Sequence, residues 1–287
     1  MKPILPKRKV ISNRFTQLAG SQTPLRALAG DLSKVAKYAI DEANTLSLER
    51  VPIVLSRLPK KLDGLKIIHL SDIHHSPFTG LEHIERMVKV ANRLRPDMFL
   101  LTGDYVSHET EYIEPVAEAL GRLSSEYGTF ACLGNHDHWT DADAVTANFQ
   151  ENGIRMLVNE GFRFEARDAS LWLAGVDDHM VGKTDLAAAL KGSFADEFKL
   201  VLAHNPIIFR KAVAAGVDLT LSGHTHGGQI RLRDAAKPLI RKRKLTAGLH
   251  ERGDSHIYIT RGIGTVVLPV RYQCPPEISL LELKCPQ

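Results

Sequence analysis

Five short polar clusters, each placed after an apolar, strand-like run, constrain this chain more than any other feature of its 287 residues. In order they are Asp72-Ile73-His74, Gly103-Asp104, Gly134-Asn135-His136-Asp137, His204-Asn205 and Gly223-His224-Thr225-His226-Gly227-Gly228. Carboxylates, one amide and imidazoles are the ligand inventory of a centre holding two divalent cations, and such centres serve phosphate-ester hydrolysis. Taken singly, each Asp or His reads as a helix cap or a solvated loop residue. An ordered set spread over more than half the chain does not reduce to that.

The runs between the clusters alternate in character. Leu65 to Leu70 reads as a buried strand that delivers Asp72 at its C-terminal end, and Leu81, Ile84, Val88 and Ala91 recur at helical spacing before Pro96. A strand at Met98 to Leu101, a helix around Pro115 to Leu123 and a strand at Thr129 to Leu133 continue the pattern. From Ile154 to Gly175 short strands with turn signals predict a more antiparallel section, and strand-like runs at Lys199 to Ala203 and Leu219 to Leu221 precede His204 and His224. A final pair, Ile257 to Ile259 and Ile278 to Leu283, is expected to complete a second sheet. Open α/β sheets bind ligands outside the carboxyl ends of their strands, so clusters far apart in sequence can converge there.

Composition excludes little. An apolar content of 44% and a formal charge of +4 describe a globular chain with an ordinary core, and no extended basic and aromatic groove suggests a stable nucleic-acid complex. Cys132, Cys274 and Cys285 show neither metal-knuckle spacing nor a disulfide framework, which makes a reducing cytoplasm the expected compartment. Residues 1–44 read as a basic, helical N-terminal extension and 45–287 as one domain. Lys2, Lys7, Arg8 and Lys9 are followed by no long apolar stretch, so no secretory signal or spanning helix is expected. Leu25 to Ala43 is expected to be a helix, either packed or lying on a membrane surface.

The order DxH, GD, GNH, a later His and GHxH resembles the calcineurin-like metallophosphoesterases over roughly Leu62 to Leu283. The resemblance implies an α/β fold, a four-layer α/β/β/α sandwich with its dinuclear centre at strand C-terminal ends. It implies Asp72, His74, Asp104 and His226 as ligands of one metal and Asp104, Asn135, His204 and His224 as ligands of the other, with Asp104 bridging. His136 resembles the family's catalytic histidine, which protonates the leaving oxygen or steadies the phosphoryl charge. The implied chemistry is in-line attack at phosphorus by a metal-bound hydroxide. Manganese is the expected cofactor, with iron or zinc also compatible with the ligands.

Leu62-Asp63-Gly64-Leu65-Lys66-Ile67, Gly262-Ile263-Gly264-Thr265 and Pro275-Pro276-Glu277-Ile278 are similar to the bacterial phosphodiesterase branch that includes UDP-2,3-diacylglucosamine pyrophosphatase-like proteins. A phosphodiesterase or pyrophosphatase acting on a small or lipid-linked phosphate ester is therefore expected, with peripheral contact to an inner membrane as an option. A broad phosphomonoesterase or a non-catalytic metal-binding scaffold are the alternatives. Arg261, Arg271 and the run Arg241-Lys242-Arg243-Lys244 are candidates for a second phosphate or an anionic surface, and Tyr105, His108 and Asp178 for lining the pocket. Asp137 fits either a role in orienting His136 or a helix cap, and His75 and His138 are left outside the ligand set. Ser76-Pro77 stands where the family usually has a glycine.

Overall fold

The computed structural model describes residues 25–230 and 245–286. In chain order come α1 (Leu25–Ala43), β1 (Ser47–Val54), β2 (Lys66–Leu70), α2 (Leu81–Arg93), β3 (Met98–Thr102), α3 (Ile113–Gly121) and β4 (Thr129–Cys132). Then follow α4 (Asn135–Thr140), α5 (Ala142–Glu151), β5 (Ile154–Met156), β6 (Glu160–Ala166), β7 (Ala169–Gly175), α6 (Leu186–Ala189) and β8 (Lys199–Leu202). The remainder are α7 (Phe209–Ala214), β9 (Leu219–Ser222), β10 (Gly248–Arg252), β11 (Ser255–Ile259) and β12 (Glu277–Lys284).

Among the described residues two six-stranded sheets result, in the orders β1-β12-β2-β3-β4-β5 and β10-β11-β9-β8-β7-β6. The layers follow from which way alternate side chains point along each strand. Ile67, Met98, Leu100, Phe130 and Cys132 face inward and meet Leu171, Leu173, Leu200, Leu202, Leu219 and Leu221 of the other sheet. Their neighbours Ile68, Leu70, Phe99, Leu101 and Ala131 face outward, beneath Ile84, Met87, Val88, Val116, Leu120 and Phe149 of α2, α3 and α5. On the far side Trp172, Ala174 and Val201 carry Ala189 of α6 and Ala212 of α7. Both faces of each sheet are thus covered, which is why β3 and β4 read as unbroken buried runs instead of alternating ones. Each fully buried aliphatic side chain stabilises this arrangement by about 1.5–3 kcal/mol. The architecture is the expected four-layer α/β/β/α sandwich.

One expectation fails. Ile278 to Leu283 does not join the second sheet: β12 lies in the first, antiparallel to β2 with Leu281 opposite Ile67 and parallel to β1 with Ser47 opposite Glu277. Within Ile154 to Gly175 the antiparallel pairing is confined to β6 and β7, because β5 pairs in parallel with β4. Among the described residues no helix is long and apolar enough to cross a membrane. Lys2, Lys7, Arg8, Lys9 and the basic run 241–244 lie outside the described residues.

Candidate metal centre

The strands β2, β3, β4, β8 and β9 run parallel within their sheets, and each ends in one of the polar clusters. The turns that follow are forced. Asp72, His74, Asp104, His224 and His226 all adopt positive φ between 49° and 69°, a region that costs a residue with a Cβ roughly 1–2 kcal/mol. Such strain persists only where the surroundings over-determine it, and it concentrates at functional sites.

Asp104 is the hub. Its Oδ1 accepts the His136 backbone N–H at 2.9 Å, while Oδ2 lies 3.0 Å from His204 Nε2 and 3.5 Å from His74 Nε2. His74 Nε2 is 3.1 Å from His226 Nε2, and His226 Nε2 is 3.4 Å from Asp72 Oδ1. On the other side His204 Nε2 is 3.2 Å from His224 Nδ1. Asp72, His74 and His226 thus form one group and Asp104, His204 and His224 another, each close enough to share a cation. His74, Asp104 and His136 form a third such group between them.

Several of these rings are held by their other nitrogen. His204 Nδ1 donates to the Thr102 carbonyl at 2.7 Å and His136 Nδ1 to the Ser107 carbonyl at 2.8 Å, which leaves Nε2 of each ring open. Asp72 accepts the His224 backbone N–H with both carboxylate oxygens, at 2.9 and 3.1 Å. Asn135 Oδ1 is buried without a hydrogen-bond partner, an acceptor that only a cation or water would satisfy.

The electrostatics of the pocket favour positive charge. Burial lifts the Asp72 carboxyl to about 6, so its ionised form calls for a neighbouring cation. Burial opposes a charge on His204 as well, yet the Asp104 carboxylate outweighs it and pushes the imidazole up to about 10. His74 moves down to about 3, chiefly through burial. Oxygen and nitrogen donors, a shared carboxylate and an orphaned amide oxygen fit divalent metal cations.

The family model of the calcineurin-like phosphoesterases matches residues 65–228, more than half of the chain. The chain belongs to this family. It is similar to the uncharacterized metallophosphoesterase YkuE of Bacillus subtilis, with 31% identity over 98% of both chains. Similarity extends to the phosphodiesterase YaeI of Escherichia coli K12, at 33% identity over 76% of this chain and 82% of that one. A transmembrane protein with a metallophosphoesterase domain from Bos taurus is 32% identical over 85% of this chain and 59% of its own length. As a calcineurin-like phosphoesterase the chain is a metal-dependent phosphoester hydrolase, and its His and Asp clusters bring donor atoms close enough together to share a cation.

Other expected site residues turn out differently. Arg271, a candidate for contact with an anionic surface, faces no surface: it is fully buried, and its guanidinium donates to the carbonyls of Gly264, Cys274 and Arg261, with His226 Nδ1 3.4 Å away. Arg261 pairs with Glu49 and Glu277. Tyr105 lines no pocket either, since its buried hydroxyl donates to the Cys132 carbonyl and accepts the Gly103 N–H. His108 does lie beside the centre, with its ring centroid 5.1 Å from that of His136. Asp178 is buried just beyond the end of β7, and its Oδ2 has no hydrogen-bond partner.

Asp137 acts on the backbone and not on the His136 ring. Its two oxygens accept the N–H groups of Gly134, Asp104 and Tyr105 at 2.8–2.9 Å. His138 pairs with Asp177, and His75 Nδ1 meets the Thr79 carbonyl at 2.9 Å. Sequence reading gave no role to Thr102 and Ser107. Both hold a ring through a carbonyl, which leaves no mark on residue type, and the Ser107 hydroxyl also lies 3.4 Å from His74 Nδ1.

Proposed function

We propose that this calcineurin-like phosphoesterase is a phosphodiesterase or pyrophosphatase that works with two divalent cations, manganese in the first instance. The observation that carries the reading is the position of Asp104 Oδ2 between His74 and His204, the inner members of two donor groups. Asp72, His74, Asp104 and His226 would hold one cation, and Asp104, Asn135, His204 and His224 the other. When bound, two such ions polarise the phosphoryl oxygens and make water a competent nucleophile near neutral pH.

The chain's own groups supply the rest. His136 Nδ1 donates to a backbone carbonyl, so the ring is fixed and Nε2 is the atom that gives a proton to the departing oxygen. The rings of Trp139, at 4.7 Å, and His108 flank it and limit the water that reaches it. A diester is favoured over a monoester because neither candidate arginine stands open to a second phosphate charge: Arg271 is fully buried against carbonyls, and the charge of Arg261 is matched by Glu49 and Glu277. The name phosphodiesterase borne by the Escherichia coli relative supports the same choice.

The test compares bis(p-nitrophenyl) phosphate with p-nitrophenyl phosphate, with and without manganese, for the native chain and Asp104→Asn. Metal-dependent cleavage with the diester preferred, and lost in the variant, is the expected result. Monoester preference would replace the diester assignment by a phosphomonoesterase, and inactivity across manganese, iron and zinc would replace it by a metal-binding scaffold.

A further inference from the structure

Beside His224 the surface dips into a hollow of about 340 Å³ whose walls include Pro206, Ile207, Thr225, Leu245 and Thr246. It adjoins the candidate metal centre, yet its exposed wall is almost entirely carbon. Two of the polar groups on its lining residues are already bonded. Thr225 Oγ1 donates to the Thr246 carbonyl at 2.5 Å, and Asn205 Oδ1 accepts the Ile207 N–H at 3.1 Å.

Ile207 is 59% exposed, three positions after His204, on a turn made rigid by the Asn205 cap and by Pro206 at its first position. Leu245 reaches back to the cluster of Phe209, Ile257 and Ile259, so the rear wall continues the apolar layer outside the second sheet. A nucleobase is a poor fit: among the described residues no Phe, Tyr or Trp lines the hollow, and the His224 imidazole is the one ring in its wall.

We infer that this hollow is the subsite for an aliphatic chain carried by the phosphate ester, with His224 marking where the phosphate end lies. The placement of that end rests on the phosphoesterase reading above; the affinity for a hydrocarbon chain does not. Ile207 and Leu245 are then specificity-determining residues. A chain lying between them leaves water along its length, and a methylene fully withdrawn from water tightens binding by about fourfold.

Calorimetric titration of the full chain with methylphosphonate and with octylphosphonate tests this, in the presence and absence of manganese. Octylphosphonate is expected to bind at least roughly tenfold tighter, and the advantage is expected to survive removal of the metal. Ile207→Asn and Leu245→Asn should abolish the advantage, whereas Phe194→Asn, an equally exposed aromatic near the opposite end of β8, should keep it. Equal affinity for the two phosphonates, or an advantage that persists in both subsite variants, overturns the inference.

Hydrolysis of methyl and octyl p-nitrophenyl phosphodiesters separates this inference from the one it rests on. Chain preference expressed in KM supports both. An octyl advantage in binding without hydrolysis keeps the subsite and removes the enzyme reading; hydrolysis indifferent to chain length does the reverse.

Discussion

Asp137 and Asp104 hold each other's loops in place: Asp137 Oδ2 accepts the Asp104 backbone N–H at 2.9 Å, and Asp104 Oδ1 accepts the N–H of His136, the residue before Asp137, also at 2.9 Å. The end of β3 and the start of α4 are locked from both sides by buried, charge-assisted hydrogen bonds. A consequence is that Asp104 presents one oxygen, Oδ2, to the two histidine groups.

Asp137→Ala would orphan the buried N–H groups of Gly134, Asp104 and Tyr105 together. We expect a loss of about 3 kcal/mol or more in unfolding free energy, read from urea midpoints, together with weaker manganese binding. Asp137→Asn, which keeps one acceptor oxygen, should lose less. A midpoint unchanged in the alanine variant would show that water replaces the carboxylate.

The two proposed roles at the centre separate by substitution. Asp104→Asn should lower metal content and abolish turnover, whereas His136→Ala should keep its metal and lose about 10²–10⁴ in kcat. Metal analysis beside kcat decides the matter: metal loss in His136→Ala would make that imidazole a ligand, an option its grouping with His74 and Asp104 leaves on the table.

Gly134→Ala should disable the centre for steric reasons. A Cβ there would stand 2.5 Å from the Asp104 backbone nitrogen, closer than side-chain carbons approach, so Asp104 would have to move. Gly216→Ala is the comparison, because φ is +69° but the surrounding space is open. It should cost about 1–2 kcal/mol of stability and leave manganese affinity unchanged. Equal metal affinity in both variants would refute the steric account.

Acid sensitivity should come partly from histidines away from the ligands. Burial pushes His69 down to about 3, and burial followed by Arg86 pushes His83 down to about 4, against an ordinary value of 6.5. Between those values the unfolded chain binds a proton that the folded chain refuses. Stability is therefore complete above about pH 6.5 and falls as pH drops toward 3–4, by about 1.4 kcal/mol per pH unit for each histidine. In metal-free protein, urea midpoints at pH 7, 6 and 5 should fall less steeply for His69→Gln than for the native chain. Parallel slopes would remove His69 from the explanation.

The centre was legible because its residues follow strands that are buried on both faces. Met98 to Thr102 and Leu219 to Ser222 have no exposed position, so the first polar residues after them stand out. Sheet membership was not legible for Glu277 to Lys284, since an apolar run suits either sheet and its partners lie far off in sequence. Ser47 to Val54 hid for another reason: as an edge strand it leaves Leu48, Arg50, Pro52 and Val54 exposed, and a proline is tolerated only at such an edge. Arg271, between Val270 and Tyr272, carries no local sign of burial. Only the folded loop brings three carbonyls around its guanidinium.

The insertion of β12 between β1 and β2 sets an order of assembly. Ser47 donates its hydroxyl hydrogen to the Pro276 carbonyl across 229 positions of sequence, so β1 has no strand to dock against until residues beyond 276 have left the ribosome. Until then β2, which leads to Asp72 and His74, remains an unprotected sheet border with only β3 beside it. A nascent chain halted before Glu277 would carry every proposed ligand and still present that open border, and closing so long a loop is a slow step. Competence to bind metal and resistance to aggregation would then be acquired at different moments of synthesis.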